Sequence, residues 1–133
     1  MEQLAELGIM PFGVEIEHIS SATEGVVLGH PVILAGTNNY MGLSYHPRCI
    51  KAAQDAAERW GTGTTGSRLA NGSYGGHLAL EQELAAFFGT PSAIVFSTGF
   101  LATMGAVSTL AGPGDRILMD ADCHASIYEG TRV

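Results

Sequence analysis

Two places in this 133-residue chain set chemically able side chains at the mouths of apolar runs. The first is Phe96-Ser97-Thr98-Gly99-Phe100, which follows the run at 93–96 and opens a segment of helical spacing. A turn from strand into helix leaves the first N–H groups of the helix unpaired at the positive end of its dipole, which favours an anion. Gly99 lets the backbone approach a ligand closely, and Thr98 or Ser97 adds a hydroxyl. The same residues also suit an ordinary turn with a hydroxyl N-cap, so both readings stand. The second place is 120–124, where His124 follows the run at 116–119. An imidazole beside the first turn can stack on a flat ring or donate a proton, or it can simply start a helix by bonding its own backbone.

Three rival motifs are weaker. Gly61-Thr62-Gly63-Thr64-Thr65-Gly66 spells G-x-G-x-x-G, but a dinucleotide site needs a strand before it and a helix after it. Here a helical pattern precedes it, and residues 67–73 do not look helical. Phe96-Ser97-Thr98-Gly99 lacks the leading glycine of a nucleophile elbow. His46 with Cys49 and Cys123 with His124 offer four soft ligands, but neither spacing is the usual C-x-x-C, and no metal site is expected. Lysine chemistry has one candidate, Lys51, placed on the exposed face of a helix and read as a solvated surface residue.

The elements that would position these residues follow from the pattern. Residues 24–36 read as a β-hairpin, with apolar runs at 25–28 and 31–35 and the turn on Gly29-His30-Pro31. Pro47 can sit in the first turn of a helix reaching Trp60, with Ile50, Ala53, Ala57 and Trp60 at helical spacing and Gly61 as the stop. Six glycines lie in 61–76, a long loop of the kind that usually carries function. Helices are predicted over 77–88 and 100–110, and a helix start near His124. The runs at 93–96 and 116–119 then form a strand–helix–strand unit suited to a right-handed crossover between parallel strands. The chain is read as α/β, with residues 1–45 an N-terminal segment holding the hairpin and 46–133 the start of a larger domain.

Composition narrows the partners. Hydrophobic residues make up 46% and charged residues 14%, which excludes a disordered tail or a coiled coil. A net charge of −7 argues against nucleic-acid phosphates. No apolar run is long enough to span a bilayer and no signal peptide opens the chain, so the expected location is cytoplasmic. Two cysteines make no disulfide framework.

Taken in order, the motifs resemble one family. Asn39-Tyr40-Met41-Gly42-Leu43-Ser44 with His46-Pro47 is similar to the opening of the α-oxoamine synthases, and Gly61 to Gly66 with Ser67-Arg68 resembles their glycine-rich loop. Asn71-Gly72, His77-x-x-Leu80-Glu81, Thr98-Gly99-Phe100 and Asp120-x-x-x-His124-Ala125-Ser126-Ile127 complete the series. The likeness runs from about residue 24 to the end, and its wording is most like the bacterial branch that makes sphingoid bases. It implies a homodimeric, fold type I pyridoxal 5'-phosphate enzyme that condenses an amino acid, here serine, with an acyl-CoA, loses CO2 and yields an aminoketone. It implies that Thr98, Gly99 and Phe100 bind the cofactor phosphate, that His124 stacks on the cofactor ring and acts in catalysis, and that Asn39 lies near the amino-acid substrate. It also places the Gly61–Arg68 loop near the active site at the dimer interface, and allows peripheral membrane association through a lipid product. Thr103 stands where family members commonly carry Asn. The family's cofactor lysine and the Asp that pairs the pyridine nitrogen are expected beyond residue 133. The chain is therefore read as the N-terminal part of a larger enzyme, inactive and unstable as a monomer by itself. The alternatives are a synthase of 8-amino-7-oxononanoate, a glycine C-acetyltransferase, or a non-catalytic partner subunit without the lysine.

Overall fold

The computed structural model describes residues 13–132. Residues 1–12, where the N-terminal segment begins, and Val133 lie outside the described residues. The chain divides into two compact units, residues 1–63 and 64–133.

The first unit holds a three-stranded antiparallel sheet in the order β1 (His18–Ile19), β2 (Glu24–Val27), β3 (His30–Ile33). The predicted hairpin is present, but its turn falls earlier, on Leu28 and Gly29. Both have positive φ, 50° and 73°, the twist that lets a two-residue turn close a right-handed hairpin. The Glu17 carboxylate accepts the Gly29 N–H at 3.0 Å and holds the turn. Pro31, predicted in the turn, pairs with Val26 instead, which an edge strand tolerates. Gly25 is buried at the centre: a Cβ there would lie 2.8 Å from the His18 carbonyl oxygen. Strand β1 escaped the sequence reading because two residues show no periodicity.

A 3₁₀ turn (Leu43–Tyr45) leads into α1 (Pro47–Trp60). Its predicted limits hold, with Pro47 in the first turn and Gly61 closing the end at φ 83°. On its apolar stripe Ile50 and Trp60 are each 41% exposed, and the Arg59 guanidinium lies 4.8 Å from the centre of the Trp60 ring.

The second unit contains α2 (Gly75–Phe88), α3 (Gly99–Leu110) and α4 (Ala125–Gly130). Helix α2 starts two residues before the prediction because His77 is its third residue, reaching back with Nδ1 to accept the Tyr74 N–H at 3.0 Å. Helices α3 and α4 pack closely. A Cβ on the buried Gly130 would lie 2.8 Å from the Val107 Cβ.

The runs at 93–96 and 116–119 differ from their predicted form: neither pairs as a strand among the described residues. An apolar run supplies the faces of a strand but not its partner, and regular β geometry needs the ladder. Burial tells the same story. Ala85 is buried, whereas Leu69 and Leu118 are each 98% exposed.

Candidate functional site

Thr98 sits at the N-cap of α3 with extended backbone, and its Oγ1 accepts the Leu101 N–H at 3.1 Å. The hydroxyl cap is therefore real. It satisfies one helix-start donor, and the Thr98 carbonyl accepts the Ala102 N–H at 3.1 Å. The N–H groups of Gly99 and Phe100 have no hydrogen-bond partner among the described residues. A Cβ built on Gly99 meets nothing within 4 Å, and both residues are exposed. The two readings of the sequence coexist: the cap orders the turn, and the cap leaves two donors aimed outward. The Thr98 hydroxyl proton also stays available to an acceptor, since only its oxygen is engaged.

His124 is the N-cap of α4. Its Nδ1 accepts the Ser126 N–H at 3.2 Å and lies 2.8 Å from the Ser126 Oγ. An accepting Nδ1 places the neutral ring's proton on Nε2. Ser126 is 3% exposed, so the group that orients the ring is itself fixed. The preceding turn is braced too: Asp120 Oδ1 accepts the Asp122 N–H at 2.8 Å, and the Tyr128 hydroxyl donates to the Ala121 carbonyl at 2.9 Å. The His124 ring meets the Phe100 ring edge to face, with centroids 6.2 Å apart and planes at 67°. The donors at the start of α3 and the imidazole thus stand together, on separate elements, as the sequence predicted.

Donors of this kind suit a phosphate, with a flat ring reaching from the anion toward the imidazole. Thr98, Gly99, Phe100 and His124 are brought together within the second unit. Asn39 belongs to the first unit, where its Oδ1 accepts the Ser44 N–H at 3.4 Å and its carbonyl accepts the Gly42 N–H at 3.0 Å.

Lys51 is exposed on α1 and ion-paired with Asp55 one turn on. The G-x-G-x-x-G letters of 61–66 follow helix α1 directly and lead to no helix before Gly75. One glycine of the longer loop serves a close approach: a Cβ on the buried Gly72 would overlap the Gly66 carbonyl. Among the described residues no three His, Cys, Asp or Glu side chains gather into a metal site, and no helix is long and apolar enough to cross a membrane.

Arg68 and Glu81, which lie in two adjoining motifs, meet in the structure. Arg68 donates from Nη2 to Glu81 Oε1 at 2.9 Å and from Nη1 to the Val95 carbonyl at 3.2 Å. The same Glu81 oxygen accepts the Val95 N–H at 2.9 Å. That N–H, then the Arg68 guanidinium, hold the Glu81 carboxyl below the ordinary glutamate range. Opposite charges in two adjoining motifs were the available signal. A cavity of about 650 Å³ opens beside this pair, lined by Arg68, His77, Ile94, Phe96, Ser97 and others. One of its walls is the segment 94–97, which pairs with no strand among the described residues.

Residues 30–133 match the family described as aminotransferase class I and II. The serine palmitoyltransferase of Caulobacter vibrioides is 52% identical over 130 residues, 98% of this chain and 32% of that protein. An 8-amino-7-oxononanoate synthase of a Mycobacterium species is 46% identical over 105 residues, 79% of this chain and 28% of that one. A solved SPT structure with PLP superposes with a TM-score of 0.91 at 47% identity, covering 98% of this chain and 33% of its own. The chain spans about a third of the length of the curated serine palmitoyltransferases it matches.

Proposed function

The chain belongs to the aminotransferase class I and II family, and from that premise we propose that it carries the phosphate cradle and ring-facing histidine of a pyridoxal-phosphate-dependent acyltransferase. Its fold is that of the N-terminal part of the fold type I, aminotransferase-like domain. The reaction joins the serine α-carbon to the carbonyl carbon of a long-chain acyl-CoA. CoA leaves as the thiol, the serine carboxylate leaves as CO2, and a 3-oxosphinganine-like aminoketone remains.

One observation carries the reading: the unpartnered N–H groups of Gly99 and Phe100 open beside His124, whose ring is oriented through Nδ1. Pyridoxal phosphate, when bound, supplies the electron sink for the bond broken at the substrate's α-carbon. The chain's own residues divide the remaining work. The Gly99 and Phe100 N–H groups and the Thr98 hydroxyl hold the phosphate. His124 offers its face for stacking and its Nε2–H to the amino-acid carboxylate. Asn39 contacts the amino-acid substrate, in keeping with the motif it belongs to. Lys51 takes no part, since it is exposed and paired with Asp55. Residues 46–133 are the start of the large cofactor-binding domain, and the glycine-rich loop approaches the active site at the interface of a homodimer. The protein is cytoplasmic, with peripheral membrane contact through its lipid product.

The relatives named 8-amino-7-oxononanoate synthase support a second reading within the same chemistry. One experiment separates them. The complete reading frame is expressed, its visible absorbance is recorded with pyridoxal phosphate, and CoA release from palmitoyl-CoA is followed with serine, glycine or alanine. Absorbance and a preference for serine are expected. Preference for alanine selects the second reading, and a protein with neither cofactor nor CoA release is the non-catalytic subunit.

A further inference from the structure

We propose that Arg68 and Glu81 are positioning residues that set the phosphate cradle through the backbone of Val95. The inference rests on the cofactor reading given above and extends it to residues that touch no ligand.

Val95 lies in a segment with no strand beside it among the described residues, so its peptide groups lack ladder partners. Unpaired, they would cost stability. Both are instead taken by side chains. Glu81 Oε1 accepts the N–H at 2.9 Å, and Arg68 Nη1 donates to the carbonyl at 3.2 Å. The two side chains then bond each other at 2.9 Å, which closes a ring of three bonds around one residue.

Arg68 is itself held from behind. Its Nε donates to Ser73 Oγ at 2.9 Å, and that hydroxyl donates to the Arg68 carbonyl at 2.8 Å. The pair is partly shielded, with side-chain exposures of 34% and 14%, so these charged bonds are worth more than a surface ion pair. Three residues after Val95 comes Thr98, the cap of α3, and then the two outward N–H groups. The glycine-rich loop and α2 thus grip the segment that ends in the cradle. A shift of Val95 along its own axis moves the donors of Gly99 and Phe100 with it.

The test compares two probes on the protein expressed from its complete reading frame: pyridoxal phosphate and pyridoxal, which lacks the phosphate. Affinity for each is measured by absorbance titration in wild type, Arg68→Met and Glu81→Gln. Arg68→Met is expected to weaken pyridoxal phosphate roughly tenfold, the scale of one charged hydrogen bond, and to leave pyridoxal nearly unchanged. Glu81→Gln keeps an oxygen for the Val95 N–H and is expected to lose several-fold on the phosphate form only; it serves if Arg68→Met does not fold. Unchanged affinity for both probes in a folded variant overturns the inference. So does equal weakening of both, which marks a general structural role. A wild-type protein that binds neither probe overturns the cofactor reading itself, and the two failures are thereby distinct.

Discussion

His46 and His124 head helices in nearly the same way. Both are N-caps with extended backbone, at φ −70° and −62°, and both accept with Nδ1 the N–H of the second residue on, at 3.2 Å. Local geometry does not tell them apart. Their surroundings do. His46 is followed by Pro47 and starts a 14-residue helix. His124 has a second partner in the buried Ser126 hydroxyl, a braced turn before it and the Phe100 ring in a T-shaped contact with its own. The role proposed for His124 rests on that difference: another element brings a ring to it.

Substitution of each histidine in the protein from the complete reading frame puts that difference to the test. His124→Ala is expected to lower turnover roughly a hundredfold through lost positioning, while cofactor affinity falls by only about 1 kcal/mol of stacking. Steady-state rates beside absorbance titration read both, and normal turnover would leave His124 a helix cap like His46. Gly130→Val, behind the histidine, forces a side chain onto Val107 and is expected to cost about 1–3 kcal/mol in chemical denaturation. His46→Ala is expected to cost only about 0.5 kcal/mol of stability, as a lost cap does, and to leave turnover intact.

The smallest effect concerns pH. Glu81 has its carboxyl lowered by the Val95 N–H and by Arg68, so it binds its proton less readily folded than unfolded. Its contribution is complete above the ordinary glutamate range and is lost as pH falls through the lowered value. Denaturation midpoints should decline over that acid window in wild type, and the decline should be shallower in Glu81→Gln. Parallel curves would mean that the carboxylate adds nothing.

Much of this was legible beforehand. Pro47 and Gly61 bracket α1 because each acts through its own backbone, and Thr98 and His124 read as helix starts because their side chains cap N–H groups two or three residues on. Short-range chemistry is written in short-range sequence. The failures are of longer range or finer scale. The runs at 93–96 and 116–119 have the composition of parallel strands, but pairing depends on a neighbour that composition cannot supply. The Arg68 bond to Val95 spans 27 residues, and no periodicity announces it. The hairpin turn moved because Gly29 accommodates positive φ while His30 and Pro31 suit a strand edge. Likeness of ordered motifs bridged part of this gap, since it placed the cradle and His124 together without any contact being visible.

The N–H groups at the start of α3 are proposed to hold a phosphate, and Gly99→Asp tests this most directly. The position has room for a side chain, with nothing within 4 Å of an added Cβ. A carboxylate in the first turn suits the helix dipole, so stability should be unchanged or raised by about 0.3–1 kcal/mol. The same charge would repel a phosphate from the cradle. Measured together in the protein from the complete reading frame, thermal stability should hold while pyridoxal phosphate affinity collapses. A stable variant that binds pyridoxal phosphate as tightly as wild type would mean that these N–H groups do not hold the phosphate.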